Sequence, residues 1–171
     1  MLLSEIVPRN CASKNLRSIL RKVVGWGRIT RDAKERSGER CEICGECGLE
    51  QGSRHTVEAH EIWEYDDQNR IQRLVAVQAL CPNCHRVKHI GRWMKRPKHR
   101  QVLFDHMKKI NEWSEEKLEE YLREVFLLYE MRSIGPSWVL DISWLWAEYG
   151  DEASAMLRPD GPRPPRERSG F

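Results

Sequence analysis

No stretch of this sequence approaches the roughly 20 consecutive apolar residues that a membrane-spanning helix requires. The opening MLLSEIVPRN puts its apolar residues first, with no cleavage pattern following a basic region. A spanning helix is therefore excluded, a secretory leader is not expected, and the chain is expected to be cytoplasmic. At 171 residues and 20.2 kDa it is too short for two large domains. Net charge is small, +3 from 29 Lys and Arg against 26 Asp and Glu, and by itself says little about partners. Apart from a duplicated Cys-x-x-Cys there is no internal repeat.

What the chain does have is segregated charge. Residues 84–109 hold nine basic side chains (Arg86, Lys88, Arg92, Lys95, Arg96, Lys98, Arg100, Lys108, Lys109) against one acid, Asp105. Residues 1–40 hold ten against four, whereas 41–83 and 111–131 are acidic. Such segregation is the footprint of a phosphate-backbone partner, because each neutralised phosphate releases condensed counterions. A solvated helix face gives the same pattern, so charge alone leaves both readings open.

Local patterning predicts an α+β fold. Leu16, Ile19, Leu20, Val23 and Val24 recur at helical spacing and predict a helix over 11–24, punctuated by Gly25 and Gly27 and followed by a short charged helix over 29–36. Residues 54–65 alternate, with Val57, Ala59, Trp63 and Tyr65 on one face and Thr56, Glu58, His60 and Glu64 on the other, while Glu61 and Ile62 cross the pattern. With a turn at 66–69 and a Val- and Leu-rich run over 71–80, this predicts an antiparallel hairpin. Helices are expected over 83–90, ending at Gly91, and over 98–110. A third runs from the Ser114 N-cap to about Arg132, with Trp113 stapling Leu118 and a core stripe of Leu118, Tyr121, Leu122, Val125, Leu128 and Tyr129. Trp138–Trp146 is a dense apolar patch expected to pack on the preceding helices; exposure to a protein partner is the other reading. The chain thus divides into an N-terminal helical segment (1–39), a core (40–92), a C-terminal helical segment (93–149) and a Pro- and Arg-rich tail (150–171) expected to be disordered.

Six cysteines without an export signal point to metal rather than disulfides. Cys41, Cys44, Cys81 and Cys84 form two Cys-x-x-Cys pairs 36 residues apart, and four thiolates make a closed tetrahedral zinc site that is structural rather than catalytic. In a small domain such a site contributes on the order of 10 kcal/mol to folding. Cys47 is a spare that could stand in for Cys44. His85 follows Cys84 directly, and His89 is one helical turn on, so both imidazoles can chelate a single ion. A strand and a helix joined by zinc would bring His60 opposite them. A lone histidine would read as an ordinary core or surface imidazole; three in this arrangement read as an open metal site able to polarise a phosphate.

The strings CEIC, VEAHEIW and LCPNCHRVKHIG together resemble the zinc-stapled branch of the HNH nucleases, over residues 40–92, with LCPNCHRVKH the most specific part. More loosely, the run from HEIWEYDD through QRLV and ALCPNCHRVKH to WVLDIS is similar to small bacterial HNH-like proteins. The resemblance implies a ββα-metal core that hydrolyses DNA phosphodiester bonds with one divalent ion (Mg, Mn, Ni or Zn) beside the structural zinc. It places His60 on the first metal-ligand position, His85 on the closing one and His89 on a further one, with His60, Glu61 and His85 as catalytic residues. Arg86, Lys88, Arg92, Lys95, Arg96, Lys98 and Arg100 would hold flanking phosphates, of DNA or of RNA.

Two positions depart from the family pattern. Glu61 stands where the water-activating histidine usually stands, and Ala76 replaces the central asparagine. A carboxylate can act as general base or ligate the ion itself. With an ordinary pKa near 4.3, Glu61 is a weaker base than imidazole unless burial near Trp63 raises it. The alternative is a catalytically inactive zinc module of the same fold that binds nucleic acid or assembles with a protein partner. A third reading is a zinc-stabilised interaction protein with no nucleic-acid role.

Overall fold

Leu16 opens the first helix, α1 (Leu16–Ile19), where the Asn15 side chain caps it by accepting from the Ser18 amide at 2.9 Å. In the computed structural model, which describes residues 1–11 and 14–159, the helix expected over 11–24 is broken. Leu20 is extended and forms an antiparallel bridge with Leu157, and the Arg21 amide donates to the Met156 carbonyl at 2.8 Å. A long-range backbone pairing therefore overrides local periodicity. The chain then winds through a wide helical turn at 22–27, in which the Trp26 amide reaches back five residues to Arg21, and passes straight into α2 (Arg28–Arg36). Gly25 does not end a helix. It allows close approach, since a Cβ there would lie 2.6 Å from the Met156 carbonyl. Val23 and Val24, expected on the buried stripe, are 77% and 52% exposed.

The predicted hairpin forms from β1 (Glu58–Asp66) and β2 (Ile71–Leu80), with the Asp66 carboxylate accepting from the Gln68 and Asn69 amides in the turn. Ile62 faces Ala76 but Trp63 faces Leu74, so Val75 bulges out of β2. The bulge shifts the alternation by one residue, so that one face stays buried through Gln72 and Leu74 before it and Val77 and Ala79 after it.

Pro82 opens α3 (Pro82–Lys88) at its first position, with Cys81 as cap. The helix stops at His89 (φ −102°, ψ 36°) rather than Gly91, which lies inside the following short helix α4 (Ile90–Trp93). α5 (Pro97–Asn111) begins on Pro97, and α6 (Glu115–Ser133) begins where the Ser114 hydroxyl accepts from the Lys117 amide at 3.2 Å. Trp113 packs in the same core as Leu118. The α6 stripe is buried at Leu118 and Leu122, but Leu128 is 42% exposed.

The Trp-rich segment contributes an unpredicted third strand, β3 (Val139–Asp141), which pairs parallel with β2, and the Arg73 guanidinium donates to Asp141 at 2.9 Å. This segment packs on the sheet rather than on α5 and α6. Trp138, 1% exposed, lies under the Arg70 guanidinium and edge-on to Tyr65, and its indole N–H donates to the Arg132 carbonyl of α6 at 3.2 Å. α7 (Trp144–Tyr149) and α8 (Glu152–Met156) follow. Within the tail expected to be disordered, residues 152–158 are ordered and carry the buried Ala153, Met156 and Leu157; residues 160–171 lie outside the described part.

The result is a mixed helix and sheet protein with two apolar cores. One lies between the hairpin, α1, α2 and the 142–157 segment; the other gathers Leu2, the cysteines, α3, α5 and α6. Residues from both ends of the chain thus share cores with the middle. Among the described residues no helix is long and apolar enough to cross a membrane.

Candidate metal centres and the basic cleft

Cys41 and Cys44 sit on a tight turn after α2, closed by the Gly45 amide on the Cys41 carbonyl at 2.8 Å. Cys81 and Cys84 sit at the end of β2 and in the first turn of α3. The four sulfurs all lie within 4.8 Å of one another, with Cys44 and Cys81 3.6 Å apart. A tetrahedral zinc with Zn–S bonds of about 2.3 Å has S···S edges of about 3.8 Å, so the four-cysteine set fits that ion. All four thiols are unbridged.

Their electrostatics also suit a cation. The Cys81 and Cys84 thiols, donating to Cys41, drive its pKa well below the ordinary thiol value. Burial first, then the nearby Cys41 charge, pushes Cys44 up to about 12. Cys84 is pushed up by Cys41 and Cys81, and by burial. Four thiolates cannot share this space without a dication. Two neighbours invisible to spacing rules complete the set: Gln51 Nε2 donates to Cys81 Sγ at 3.2 Å, and His106 Nε2 lies 3.2 Å from Cys84 Sγ. Cys47, the spare, is outside the cluster; its amide donates to the Glu50 carboxylate at 2.8 Å.

β1 is an edge strand and delivers His60; α3 delivers His85, and its C-cap is His89. The structure brings the three imidazoles together. One nitrogen from each lies within 4.8 Å of the others, and the ring centroids are 4.9 to 5.2 Å apart, all edge-to-face. This set, too, could hold one ion. Burial lowers His60 despite the opposing Glu5, and burial followed by His60 and His85 lowers His89 to about 3, so both rings are neutral with lone pairs available at neutral pH. His85 Nδ1 is paired with the Glu58 carboxylate, which leaves Nε2 for a ligand. The His85 hydrogen bond holds the Glu58 carboxyl below its ordinary pKa. Neither Glu58 nor Glu5 carried any sequence signal for this role.

The trio lies in a cleft of about 400 Å³ also lined by Lys14, Asn15, Arg17, Trp26, Glu61 and Arg92. Glu61 enters from the α1 side. Its carboxylate accepts the Leu16 amide at 2.7 Å, and burial raises its pKa against the pull of the Leu16 and Arg17 amides. It does not join the three-histidine set, whose ligand atoms all lie within 4.8 Å of one another. Ala76, opposite Ile62 in the sheet, offers no polar group.

The basic stretch divides by environment. Arg92, Lys95, Arg96, Lys98 and Arg100 are exposed. Arg86 and Arg96 place their guanidinium groups 5.3 and 4.9 Å from the centre of the Trp93 ring, beside His99. Lys88 departs from the expected phosphate-binding set: it is 8% exposed, and its ammonium lies 3.2 Å from Glu5. Lys108 and Lys109 are paired to Glu115 and Glu46. No family model, curated protein or solved structure matches this chain.

Proposed function

We propose that this chain is a metal-dependent endonuclease of the HNH type, built on a ββα-metal core and hydrolysing DNA phosphodiester bonds. The observation that carries the reading is the convergence of His60, His85 and His89 in a cleft whose other walls include Lys14, Arg17 and Arg92. These three histidines would hold a divalent ion (Mg, Mn, Ni or Zn), and the four cysteines a structural zinc. When bound, the divalent ion supplies Lewis-acid polarisation of the scissile phosphate and stabilises the leaving oxygen. Arg17 and Arg92 bind the phosphate oxygens at the cleft wall, and exposed Lys95, Arg96, Lys98 and Arg100 hold the flanking backbone, which positions the strand without reading bases. Glu61 takes the proton from water, its basicity increased by burial.

A second reading, a zinc-stapled module that binds nucleic acid without cutting it, is favoured by one specific contact: the Glu61 carboxylate already accepts backbone amides of α1. Plasmid nicking in Mg, Mn or Ni separates the two. The nuclease reading expects cutting by the wild type, complete loss in His85→Ala and a loss of about 10²-fold or more in Glu61→Gln. Equal nicking by wild type and His85→Ala, or none by either, overturns it. Retention on immobilised DNA that falls steeply with salt in the absence of cutting would support the binding module.

A further inference from the structure

The N-terminal segment is a strap across three helices. Asn111 pairs with the backbone of Leu2 in both directions, at 2.7 and 2.9 Å, and the Ser4 amide donates to the Tyr121 hydroxyl at 2.6 Å. The Glu5 amide donates to the Lys88 carbonyl at 2.9 Å, and the Arg9 amide to the Ser133 hydroxyl at 2.9 Å. Leu2 is fully buried. These anchors carry the Glu5 side chain under the His60 ring. One carboxylate oxygen, Oε1, lies 3.2 Å from the Lys88 ammonium; the other, Oε2, lies 3.3 Å from His60 Nε2.

His60 is 4% exposed, and both its Nε2 and Glu5 Oε2 are buried without a hydrogen bond of full geometry. Buried polar atoms are rarely left in this state, and a pair that faces each other at 3.3 Å is one small ring tilt from bonding. The nitrogens of an imidazole point in divergent directions. With Nε2 facing Glu5, Nδ1 is the atom left for the His85 and His89 side. Glu58 stands in the same relation to His85.

We propose that Glu5 is the carboxylate that orients His60, so that the three-histidine centre is complete only when the N-terminal strap is seated. This rests on reading the trio as a metal centre. Glu5 is a positioning residue: it accepts the Nε2 proton of His60, fixes the tautomer and ring angle, and leaves Nδ1 as donor to the ion. Lys88 fixes the other oxygen and prevents Glu5 from turning away.

The test uses the full chain after one equivalent of zinc has filled the cysteines, with cobalt titrated as the probe of the histidines. Glu5→Gln is expected to weaken cobalt binding about 10- to 100-fold, and exposed Glu64→Gln to leave it unchanged. In the proton spectrum of the cobalt-loaded wild type, the His60 ring N–H should be shifted and slow to exchange with solvent. In Glu5→Gln it should exchange fast, a change that a general loosening of the fold does not single out. Because linkage is reciprocal, cobalt should also slow amide exchange in residues 2–9 of the wild type, a measurement that needs no variant. A wild type that takes up no cobalt beyond the cysteine site overturns the metal reading and this inference with it. Cobalt uptake with unaltered affinity and ring N–H exchange in Glu5→Gln, or unaltered strap exchange in the wild type, overturns this inference alone.

Discussion

Lys88 belongs by composition to the most basic stretch of the chain, yet its side chain lies inward, with its ammonium on Glu5. Burial pushes the Glu5 carboxyl up, but His60 and Lys88 together hold it below its ordinary value, so it is a charged group kept charged by its neighbours. Removing one partner of such a pair strands the other in a poorly solvated place. Lys88→Ala is therefore expected to cost about 3–5 kcal/mol in urea unfolding while leaving the salt dependence of DNA retention unchanged. A loss under about 1 kcal/mol with a shallower salt slope would instead put Lys88 on the phosphate-binding surface. The same contrast explains which site residues could be found by reading the chain. Cys41, Cys44, Cys81 and Cys84 declare themselves by local spacing, and His85 and His89 by helical spacing. Glu5, Gln51, Glu58 and His106 touch the two clusters only because the chain returns to them from 22 to 55 residues away. No local pattern encodes that return.

At the scale of elements, what was legible had a local cause. β2 follows from its Val- and Leu-rich run, α5 from Pro97 at its first position, and α6 from the Ser114 cap with Glu115 and Glu116 behind it. What was not legible depends on partners distant in sequence. Three residues of β3 acquire strand geometry from β2, and the break at Leu20 exists because residues 156–158 dock there. Arg158 closes this docking, its amide donating to the Ile19 carbonyl at 2.9 Å and its guanidinium to Leu20. The Pro and Gly content after residue 158 disguised α8 as the start of a disordered tail. Met156 is 2% exposed in the core beside the hairpin, so Met156→Ala is expected to cost about 2–5 kcal/mol and to lower the thermal midpoint. A disordered segment would show no change in the same melt.

At the scale of the molecule, the two cores differ in their relation to the four-cysteine cluster. The core around α3, α5 and α6 contains Cys41, Cys81 and Cys84 among its buried residues, and its other members pack around them. Among the described residues, the core between the hairpin, α1, α2 and α8 contains none of the four clustered cysteines and is held by aliphatic and aromatic contacts. A zinc held by the four cysteines would join the turn after α2 to the start of α3 and offset the repulsion of four crowded thiolates, so its removal is expected to act first on the cysteine-containing core. Because the ligands must be deprotonated to bind, acidification acts in the same direction as a chelator: zinc is released as pH falls and the thiolates take up protons. We expect zinc-depleted protein under reducing conditions to lose amide-exchange protection in residues 82–122 and in the N-terminal strap, while β1, β2 and α2 keep most of theirs. Readdition of zinc should restore the pattern. Equal loss of protection in both cores would mean that the sheet transmits the loss and that the chain unfolds as one unit; no loss in either would mean that apolar packing alone holds the cysteine core.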